Sequence, residues 1–339
     1  MIPSRPRPRR LLDLISAFEG KTAAVLGDLV LDEFVYGEIA RVSREAPVLI
    51  LDHRVSRLAP GGAANAVANL RALGARPLPV GRIGADEAGG KIAGLLTAAG
   101  VDCSLLVRDP SYTTPVKSRI LAGSPHTAKQ QIVRLDRGAG AAAPSAAVTG
   151  RLGRSLARAR KKAAGLLVAD YGYGSARPDD GELGRWIAEG PSPVTLDSRF
   201  RLLDFRGIAA ATPNIAEVEA ALGVRIPDDD PAAIERAGAA LRRRLRCRAL
   251  LVTRGSRGMS LFEEGRRPAH IPPYGTDEVA DVTGAGDTVA ATFLLALLAG
   301  GSFLEAATLA NTAGGIVVTK RGTATVSPAE MAAAVESEE

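Results

Sequence analysis

The sequence predicts an α/β fold, built on a doubly wound, mainly parallel β-sheet that carries a small antiparallel β flap as a lid. Buried-strand patterns alternate with helical patterns through the second half of the chain, joined by short connections. Several of these strands end in polar residues, as expected where a cleft lies beyond the carboxyl edge of a parallel sheet. Segments at about 33–58 and 112–136 instead show irregular, partly alternating strand patterns, which indicate the flap.

Length and composition are typical of a globular enzyme. The 339 residues suffice for one large domain or two smaller ones with a sizeable core. Hydrophobic residues make up 46% of the chain, which excludes a disordered protein. Much of the net charge of +6 comes from arginines within residues 1–10, which we expect to form a disordered basic tail ahead of a domain at 11–335. A solvated tail of this kind predicts no nucleic-acid partner.

Cysteine usage and hydropathy indicate the compartment. Cys103 and Cys247 are far apart, without a CxxC pattern, as in proteins of a reducing environment. Asp13 and Glu19 interrupt any apolar run that could serve as a signal peptide. The longest apolar run, within 289–300, is too short to span a bilayer. We therefore expect a cytoplasmic protein with no membrane partner.

The first half of the chain begins with a βαβ-like order around the flap. Hydrophobic patterning predicts a helix at 11–19, a strand at 22–27, a helix at 63–73, a strand at 77–83, a helix at 86–99 and a strand at 101–107. The residues at 137–150, rich in Gly, Ala and Pro, predict a loop.

The second half alternates more regularly. It predicts strands at 165–169, 193–196, 209–211 and 249–253, and helices at 179–189, from Glu217 onwards, and at 231–245. The polar strand ends are Asp28, Asp170, Asp197, Asn214 and Thr253. Because the carboxyl ends of parallel strands share one edge of a sheet, five such endings predict a long polar cleft.

The stretch Asp281-Val-Thr-Gly-Ala-Gly-Asp287 carries the strongest chemical signal. A glycine-bearing turn runs into an apolar helix, whose first N–H groups and positive dipole end can bind an anion. Gly284 and Gly286 leave the backbone open to that anion. Asp287 lies in the first helical turn, where it could take a proton from an attacking hydroxyl. The alternative is that Asp287 is only a first-turn acid favoured by the helix dipole.

Two motifs together resemble the ribokinase-like (PfkB) carbohydrate kinases. One is Gly61-Gly62-x-x-Asn65, and the other is Asp281-x-Thr-Gly-Ala-Gly-Asp287. The resemblance covers essentially the whole chain after the tail. It implies an ATP- and Mg²⁺-dependent sugar kinase, with K⁺ as a further cofactor in some relatives, whose lids pair to form a homodimer.

Within that family the chain is most similar to the kinase domains that phosphorylate D-glycero-D-manno-heptose 7-phosphate at O1, on the route to the lipopolysaccharide precursor ADP-heptose. The stretches that carry the similarity are 27–37, 43–48, 130–136, 212–217 and 322–328. Those kinases are often fused to a nucleotidyltransferase, and since this chain stops at Glu339 we expect only the kinase step. Tyr173 and Arg199 stand where lysines are usual, so the sugar phosphate could differ.

The resemblance also implies roles for individual residues. The catalytic set is Asp287 as the base, with Gly284, Ala285 and Gly286 as the anion hole. The substrate-binding set is Asp28, Asp32, Gly61, Gly62, Asn65, Lys117, Arg119, Arg134 and Arg199, with Arg44 of similar standing. The nucleotide and Mg²⁺ set is Asn214, Glu217, Thr253, Gly255, Gly258 and Asn311, with Glu217 reaching Mg²⁺ through water. Asp281, with Thr283 and Ser327, is matched to a monovalent-cation site.

Several of these residues also have structural interpretations. Asn214 and Glu217 could simply cap a helix, and Asp32 could be a solvated strand-end acid. The basic residues of the flap could lie on a solvated strand face, and residues 253–258 could be an ordinary turn. Two rival functions stay open: a kinase of the same family for another sugar or sugar phosphate, and a non-catalytic sugar or nucleotide sensor.

Overall fold

Helices and strands alternate through the computed structural model, which describes residues 6–123, 129–138, 143–189, 192–227, 230–275 and 280–337. The helices are α1 (Pro8–Ser16), α2 (Ala63–Ala72), α3 (Glu87–Ala98), α4 (Ala146–Arg160), α5 (Gly181–Glu189), α6 (Ile215–Leu222), α7 (Pro231–Leu245), α8 (Ala285–Leu298), α9 (Phe303–Val318) and α10 (Pro328–Glu336). The strands are β1 (Thr22–Gly27), β2 (Leu29–Val42), β3 (Leu49–Gly62), β4 (Arg76–Val80), β5 (Arg82–Gly84), β6 (Val107–Asp109), β7 (Val116–Gly123), β8 (Gln130–Arg137), β9 (Gly165–Asp170), β10 (Val194–Ser198), β11 (Ala210–Ala211), β12 (Ala249–Thr253), β13 (Met259–Glu263) and β14 (Ala269–Ile271).

An eight-stranded sheet forms the centre of the fold, in the order β14-β13-β12-β11-β10-β9-β1-β4. Six neighbouring strands of this sheet are parallel, namely β4, β1, β9, β10, β11 and β12. Within this sheet, only β13 and β14, at one edge, run antiparallel. Buried apolar side chains cover both faces, as in β9, where every residue is buried. The predicted doubly wound, mainly parallel sheet is confirmed.

Two hydrophobic layers flank this sheet. The helices α2, α8, α9 and α10 contribute apolar side chains to the cluster on one face, and α4, α5 and α7 contribute to the cluster on the other. Because six neighbouring strands of the sheet are parallel, their carboxyl ends all lie at the same edge of the sheet. None of the helices in the described part of the chain combines the length and hydrophobicity that crossing a bilayer requires.

The lid is a four-stranded sheet in the order β3-β2-β7-β8. It includes the segments where the sequence predicts the flap, at about 33–58 and 112–136, and β2 and β3 each extend about four residues beyond the first of them. The pairs β2–β3 and β7–β8 are antiparallel, but the central pair β2–β7 is parallel. The predicted antiparallel flap is therefore confirmed, with one parallel pair at its centre. Strands β2 and β7 run in the same direction from the body of the protein, and each pairs on its outer edge with its own returning partner.

The N-terminal helix begins earlier than expected. Residues 8–10 belong to α1 and not to a disordered tail, whereas residues 1–5 lie outside the described residues. Pro8 occupies the first turn, where proline costs no hydrogen bond. Arg10 then fixes the helix, since its guanidinium donates to the Gly300 carbonyl at 2.9 Å and pairs with Glu305 at 3.3 Å.

Three predicted elements need correction in the middle of the first half. The strand expected at 77–83 is divided at Gly81, where a Cβ atom would lie 2.4 Å from the Gly27 carbonyl oxygen. Its second part, β5, pairs with β6 in a separate two-stranded sheet, and β6 replaces the strand expected at 101–107. Helix α4 begins at Ala146, inside the loop expected at 137–150, of which residues 139–142 lie outside the described residues.

Candidate active site

A cavity of about 320 Å³ lies between the carboxyl edge of the main sheet and the lid. Its floor comes from residues at the ends of the parallel strands, its roof from the lid, and one wall from the turn before α8. Charged and polar residues dominate its lining, which includes Asp32, Lys117, Arg119, Arg134, Tyr171, Asp197, Arg199, Glu217, Gly286 and Asp287. The polar cleft that the strand endings predict is therefore present.

Asp287 projects into this cavity from the first turn of α8, with only 4% of its surface exposed. The Tyr171 hydroxyl donates to its Oδ1 at 2.5 Å, and the Asn65 amide donates to its Oδ2 at 2.9 Å. Burial raises the pKa of Asp287 to about 6, against the lowering effect of both hydrogen bonds. A carboxylate held in this way is ionised at neutral pH, yet basic enough to accept a proton.

The turn before α8 depends on glycine at two positions for different reasons. Gly284 has a φ of 81°, and a Cβ there would lie 2.5 Å from the Asn65 amide nitrogen. Gly286 has no atom near its Cβ position and faces open space. Among the described residues, the backbone N–H groups of Gly286 and Asp287 have no hydrogen-bond partner, whereas that of Ala285 donates to the Val282 carbonyl. An anion would therefore meet the Gly286 and Asp287 N–H groups.

Asn65 supports the Asp287 carboxylate and does not line the cavity, where its expected contact with sugar would place it. It is buried, and its amide also donates to the Gly284 carbonyl at 3.2 Å. The side-chain oxygen of Asn65 accepts a hydrogen bond from the Asn69 amide at 3.1 Å. Gly61 does not line the cavity itself, but a Cβ there would lie 2.6 Å from Oδ2 of Asp32, which does. Gly62, with a φ of 56°, lines the cavity as expected.

Asp28 does not line the cavity, where its expected sugar-binding role would place it. Its carboxylate is fully buried and accepts backbone N–H groups from Tyr171 at 3.0 Å, Tyr173 at 2.9 Å and Ser175 at 2.8 Å. Burial nevertheless raises its pKa. Because Asp28 is fully buried and does not line the cavity, its three hydrogen bonds serve to organise the loop at 171–175.

Asp32 has the position that Asp28 lacks. It lines the cavity, where its Oδ1 accepts from the Arg119 guanidinium at 2.7 Å and its Oδ2 from the Thr323 hydroxyl at 3.0 Å. These contacts hold the carboxylate on the lid side of the cavity. Asp32 can therefore still accept a hydrogen bond from a hydroxyl group of a ligand.

Four basic side chains from the lid and the main sheet converge on the cavity: Lys117, Arg119, Arg134 and Arg199. Lys117 is only 9% exposed, and its ammonium lies 5.2 Å from the centre of the Tyr171 ring. Burial lowers the pKa of Lys117. Arg134 makes a two-point contact with Asp136, at 2.9 and 3.0 Å. Arg119 is neutralised by Asp32, whereas Lys117 and Arg199 have no carboxylate partner among the described residues, so this part of the cavity favours an anionic ligand.

Two carboxylates face the opposite side of the cavity. Glu217 and Asn214 form a reciprocal cap at the start of α6, which confirms their structural interpretation while leaving both at the cavity wall. Burial raises the pKa of Glu217. Burial, together with the charges of Glu217, Asp287 and Asp170, raises the pKa of Asp197 well above its usual range. Both carboxyl groups therefore bind protons more readily than usual, and a cation at this side of the cavity would favour their ionised forms.

A second cavity, of about 280 Å³, adjoins the first. Thr253 and Gly286 belong to both, and the predicted residues Gly255, Gly258 and Asn311 line the second one only. The Asn311 amide donates to the Pro272 carbonyl at 2.9 Å. Its apolar walls are Met259, Pro273, Tyr274, Val289 and Val318. The shape and lining suit a flat, mainly apolar group connected to anionic groups at Gly286.

The remaining predicted residues lie outside these cavities, except Thr283. Asp281 accepts N–H groups from Thr283 at 2.9 Å and Gly322 at 3.0 Å, and so shapes the turn. Ser327 caps α10 through a reciprocal pair with Glu330. Arg44 is exposed between β2 and β3. Among the described residues, no group of three or more His, Cys, Asp or Glu side chains is arranged to hold a metal ion.

Sequence reasoning missed Tyr171 and Thr323, whose hydroxyl groups donate to Asp287 and Asp32 respectively. The sequence signal of Tyr171 was its place directly after a polar strand end. Its contact with Asp287 spans 116 residues and is formed only by the fold.

Comparisons with known proteins agree with this geometry. The model of the "pfkB family carbohydrate kinase" family matches residues 28–171 and 176–330. "Bifunctional protein HldE" of Caulobacter vibrioides is 40% identical over 334 residues, covering 96% of the chain and 66% of the relative. The protein of the same name from Geobacter sulfurreducens is 40% identical over 316 residues, covering 91% and 62%. The chain thus spans just under two thirds of the length of these relatives.

Solved structures show the same fold at lower identity. Arabidopsis thaliana ribokinase, complexed with ribose and ATP, superposes with a TM-score of 0.71 at 21% identity, covering 94% of this chain and 99% of that one. Escherichia coli phosphofructokinase-2, in complex with substrates and products, gives a TM-score of 0.74 at 16% identity with the same coverage.

Proposed function

Since the chain belongs to the pfkB family of carbohydrate kinases, and is therefore a phosphotransferase that acts on a sugar, we propose that it phosphorylates D-glycero-D-manno-heptose 7-phosphate at O1. The products would be ADP and the 1,7-bisphosphate. The observation that carries this proposal is the convergence of Lys117, Arg119, Arg134 and Arg199 on the cavity that contains Asp287. Arg119 already pairs with Asp32 and Arg134 with Asp136, whereas Lys117 and Arg199 have no carboxylate partner among the described residues. The phosphate of the sugar would supply the anion that these two cations lack.

Different residues of the cavity serve proton transfer, phosphate binding and sugar binding. Asp287 accepts the proton of the attacking hydroxyl, while the N–H groups of Gly286 and Asp287 stabilise charge on the transferring phosphoryl group. Asp32 orients the sugar, and the basic side chains bind its distal phosphate. The adjoining cavity receives the nucleoside of ATP, with its phosphates directed to Gly286. Lid closure over the sugar would exclude water and limit ATP hydrolysis.

Mg²⁺ fits the acidic side of this cavity. The pKa values of Asp197 and Glu217 are raised, by burial in both cases and for Asp197 also by neighbouring carboxylates, so a cation there would relieve repulsion. Mg²⁺ usually keeps several waters and binds few carboxylates besides substrate phosphates, which agrees with two carboxylates at this wall. Glu217 would hold it through water, and the ion would supply neutralisation of phosphate charge.

Three further expectations belong to this proposal. A K⁺ ion near Asp281 is suggested by the family resemblance and by one structural neighbour, Escherichia coli phosphofructokinase-2, whose structure was solved in complex with potassium. The lid would pair with a second copy to form a homodimer. The protein would bind its sugar phosphate and ATP in the cytoplasm.

Matched substrate pairs test the proposal. Initial rates of ADP formation would be measured with heptose 7-phosphate and heptose, and with fructose 6-phosphate and fructose. We expect kcat/KM to be at least about 100-fold higher for the heptose phosphate than for free heptose, since several charge-assisted hydrogen bonds are lost. Equal rates within a pair would contradict a phosphate-specific site.

A charge variant localises the phosphate contact. Arg199→Met should raise KM for heptose 7-phosphate by about tenfold, which corresponds to one hydrogen bond to a charged group, and should leave KM for ATP unchanged. Arg248→Met, which changes an arginine packed against Phe303 and outside the cavity, is the matched control. If both variants behave as wild type, Arg199 does not bind the sugar phosphate.

A further inference from the structure

The loop after β9 carries a tyrosine in direct contact with the base. The Tyr171 backbone is fixed by its N–H bond to Asp28, one of three such bonds that shape the loop. Its ring passes below the Lys117 ammonium and beside Gly62, where a Cβ would lie 3.4 Å from the ring. These contacts hold the ring between Lys117 and Gly62 and direct its hydroxyl to a defined point.

That point is Oδ1 of Asp287, at 2.5 Å. Asn65 occupies Oδ2, so each oxygen of the carboxylate has one donor of its own. Two donors on opposite oxygens fix the plane of the carboxylate, and each oxygen retains lone-pair capacity for a substrate hydroxyl. A carboxylate held by one donor would be free to rotate about its χ2 angle.

The charges around Asp287 come from several elements. Asp32 of β2 raises its pKa and Lys117 of β7 lowers it, while Asp197 of β10 and Glu217 of α6 face the same cavity. Burial and the neighbouring carboxylates raise the pKa of Tyr171 well above its usual range, so its phenol keeps its proton. It therefore donates a hydrogen bond to Asp287 throughout the range in which Asp287 titrates.

We infer that Tyr171 is a positioning residue for the catalytic base, which fixes the orientation of the Asp287 carboxylate and keeps it ionised at neutral pH. The inference rests on the proposed role of Asp287 in the reaction. Tyr171 should therefore affect kcat and leave substrate affinity unchanged.

The direct test is the titration of the Asp287 carboxyl group by NMR in protein labelled with ¹³C at aspartate Cγ. The signal is assigned by its loss in Asp287→Asn. In Tyr171→Phe the pKa of Asp287 should rise by about one unit or more, because a hydrogen bond to a charged acceptor is lost. Tyr173→Phe makes the same chemical change two residues along the loop, and it should leave the pKa of Asp287 unchanged. An unchanged pKa in Tyr171→Phe overturns the inference.

Kinetics then separate positioning from protonation. In Tyr171→Phe the acidic limb of the pH profile should move to higher pH, and kcat on the alkaline plateau should remain about tenfold below wild type with KM unchanged. A plateau equal to wild type would show that orientation does not depend on Tyr171. If wild type itself turns over no sugar phosphate, the proposed function fails, while the titration still tests the contact.

A second variant covers the case in which Tyr171→Phe does not fold. Replacing Tyr171 by 3-fluorotyrosine keeps the ring and makes the phenol a stronger donor, so the pKa of Asp287 should fall below its wild-type value. A pKa that rises or does not move would contradict the inference.

Discussion

At the residue scale, the pKa of Asp287 is a balance between burial, which disfavours its charge, and two hydrogen bonds, which favour it. The balance gives a pKa of about 6. Since the base must be ionised to accept a proton, kcat/KM should fall below pH 6 with unit slope and level off above pH 7. A pH–rate profile checks this. A profile that stays flat down to pH 4 would exclude Asp287 as the titrating group.

The same pKa predicts the effect of Asp287 on stability. A carboxyl group whose pKa is higher in the folded state destabilises that state once pH rises through the folded pKa. Removing its charge should therefore stabilise the protein above pH 6, by up to about 3 kcal/mol for a shift of about two units, and hardly at all near pH 4. Urea unfolding of wild type and Asp287→Asn at pH 8 and pH 4.5 measures this. Equal gains at both pH values would contradict the electrostatic origin.

Sequence reasoning at this scale identified the chemistry better than the supporting contacts. Asp287 and Asp32 could be recognised because motif spacing places them at a helix start and beyond a strand end. Asp28 could not be distinguished from Asp32, since both are acids at the edge of the sheet. The difference lies in three N–H groups from a loop more than 140 residues away, which only the fold brings together.

At the element scale, the turn before α8 has two glycines with opposite requirements. Gly286→Ala should fold with an unchanged melting temperature, because its Cβ meets no protein atom, but should weaken ATP binding by at least about tenfold by occupying the approach to the N–H groups. Gly284→Ala should lower stability by about 1–3 kcal/mol, because φ is positive and Asn65 must move. Thermal melting and nucleotide titration separate the two. Tight ATP binding by Gly286→Ala would exclude the turn as the phosphate site.

Elements with strong periodicity were predictable, and α7 and β12 match to the residue. Helix α4 was not predicted, because it is rich in alanine and arginine and follows a loop-like stretch. Its signal was still present in Val148, Leu152 and Leu156, which repeat every four residues and are buried. The division of the strand at Gly81 depends on close contacts with β1 and β2, which no local pattern could reveal.

At the scale of the whole molecule, the lid exposes an unusual amount of apolar surface. Its large hydrophobic side chains with more than a third of their surface exposed are Ile39, Val42, Leu49, Val55, Ile132, Val133 and Leu135. Exposed apolar clusters of this kind mark interaction surfaces. If the lid pairs with a second copy, Leu135→Glu should shift the sedimentation coefficient from dimer to monomer, and Val224→Glu, at an exposed site outside the lid, should not. A wild-type monomer at micromolar concentration would exclude the lid-mediated dimer.

The central claim is that Asp287 transfers the proton in phosphorylation of a sugar phosphate. The most direct measurement is ³¹P NMR of heptose 7-phosphate incubated with Mg·ATP and either wild type or Asp287→Asn. Wild type should produce ADP and a second sugar phosphate signal in equal amounts. The variant should bind both substrates but react about 10³-fold more slowly, the typical contribution of a general base. Turnover by the variant at the wild-type rate, or binding by both proteins without turnover, would contradict the account.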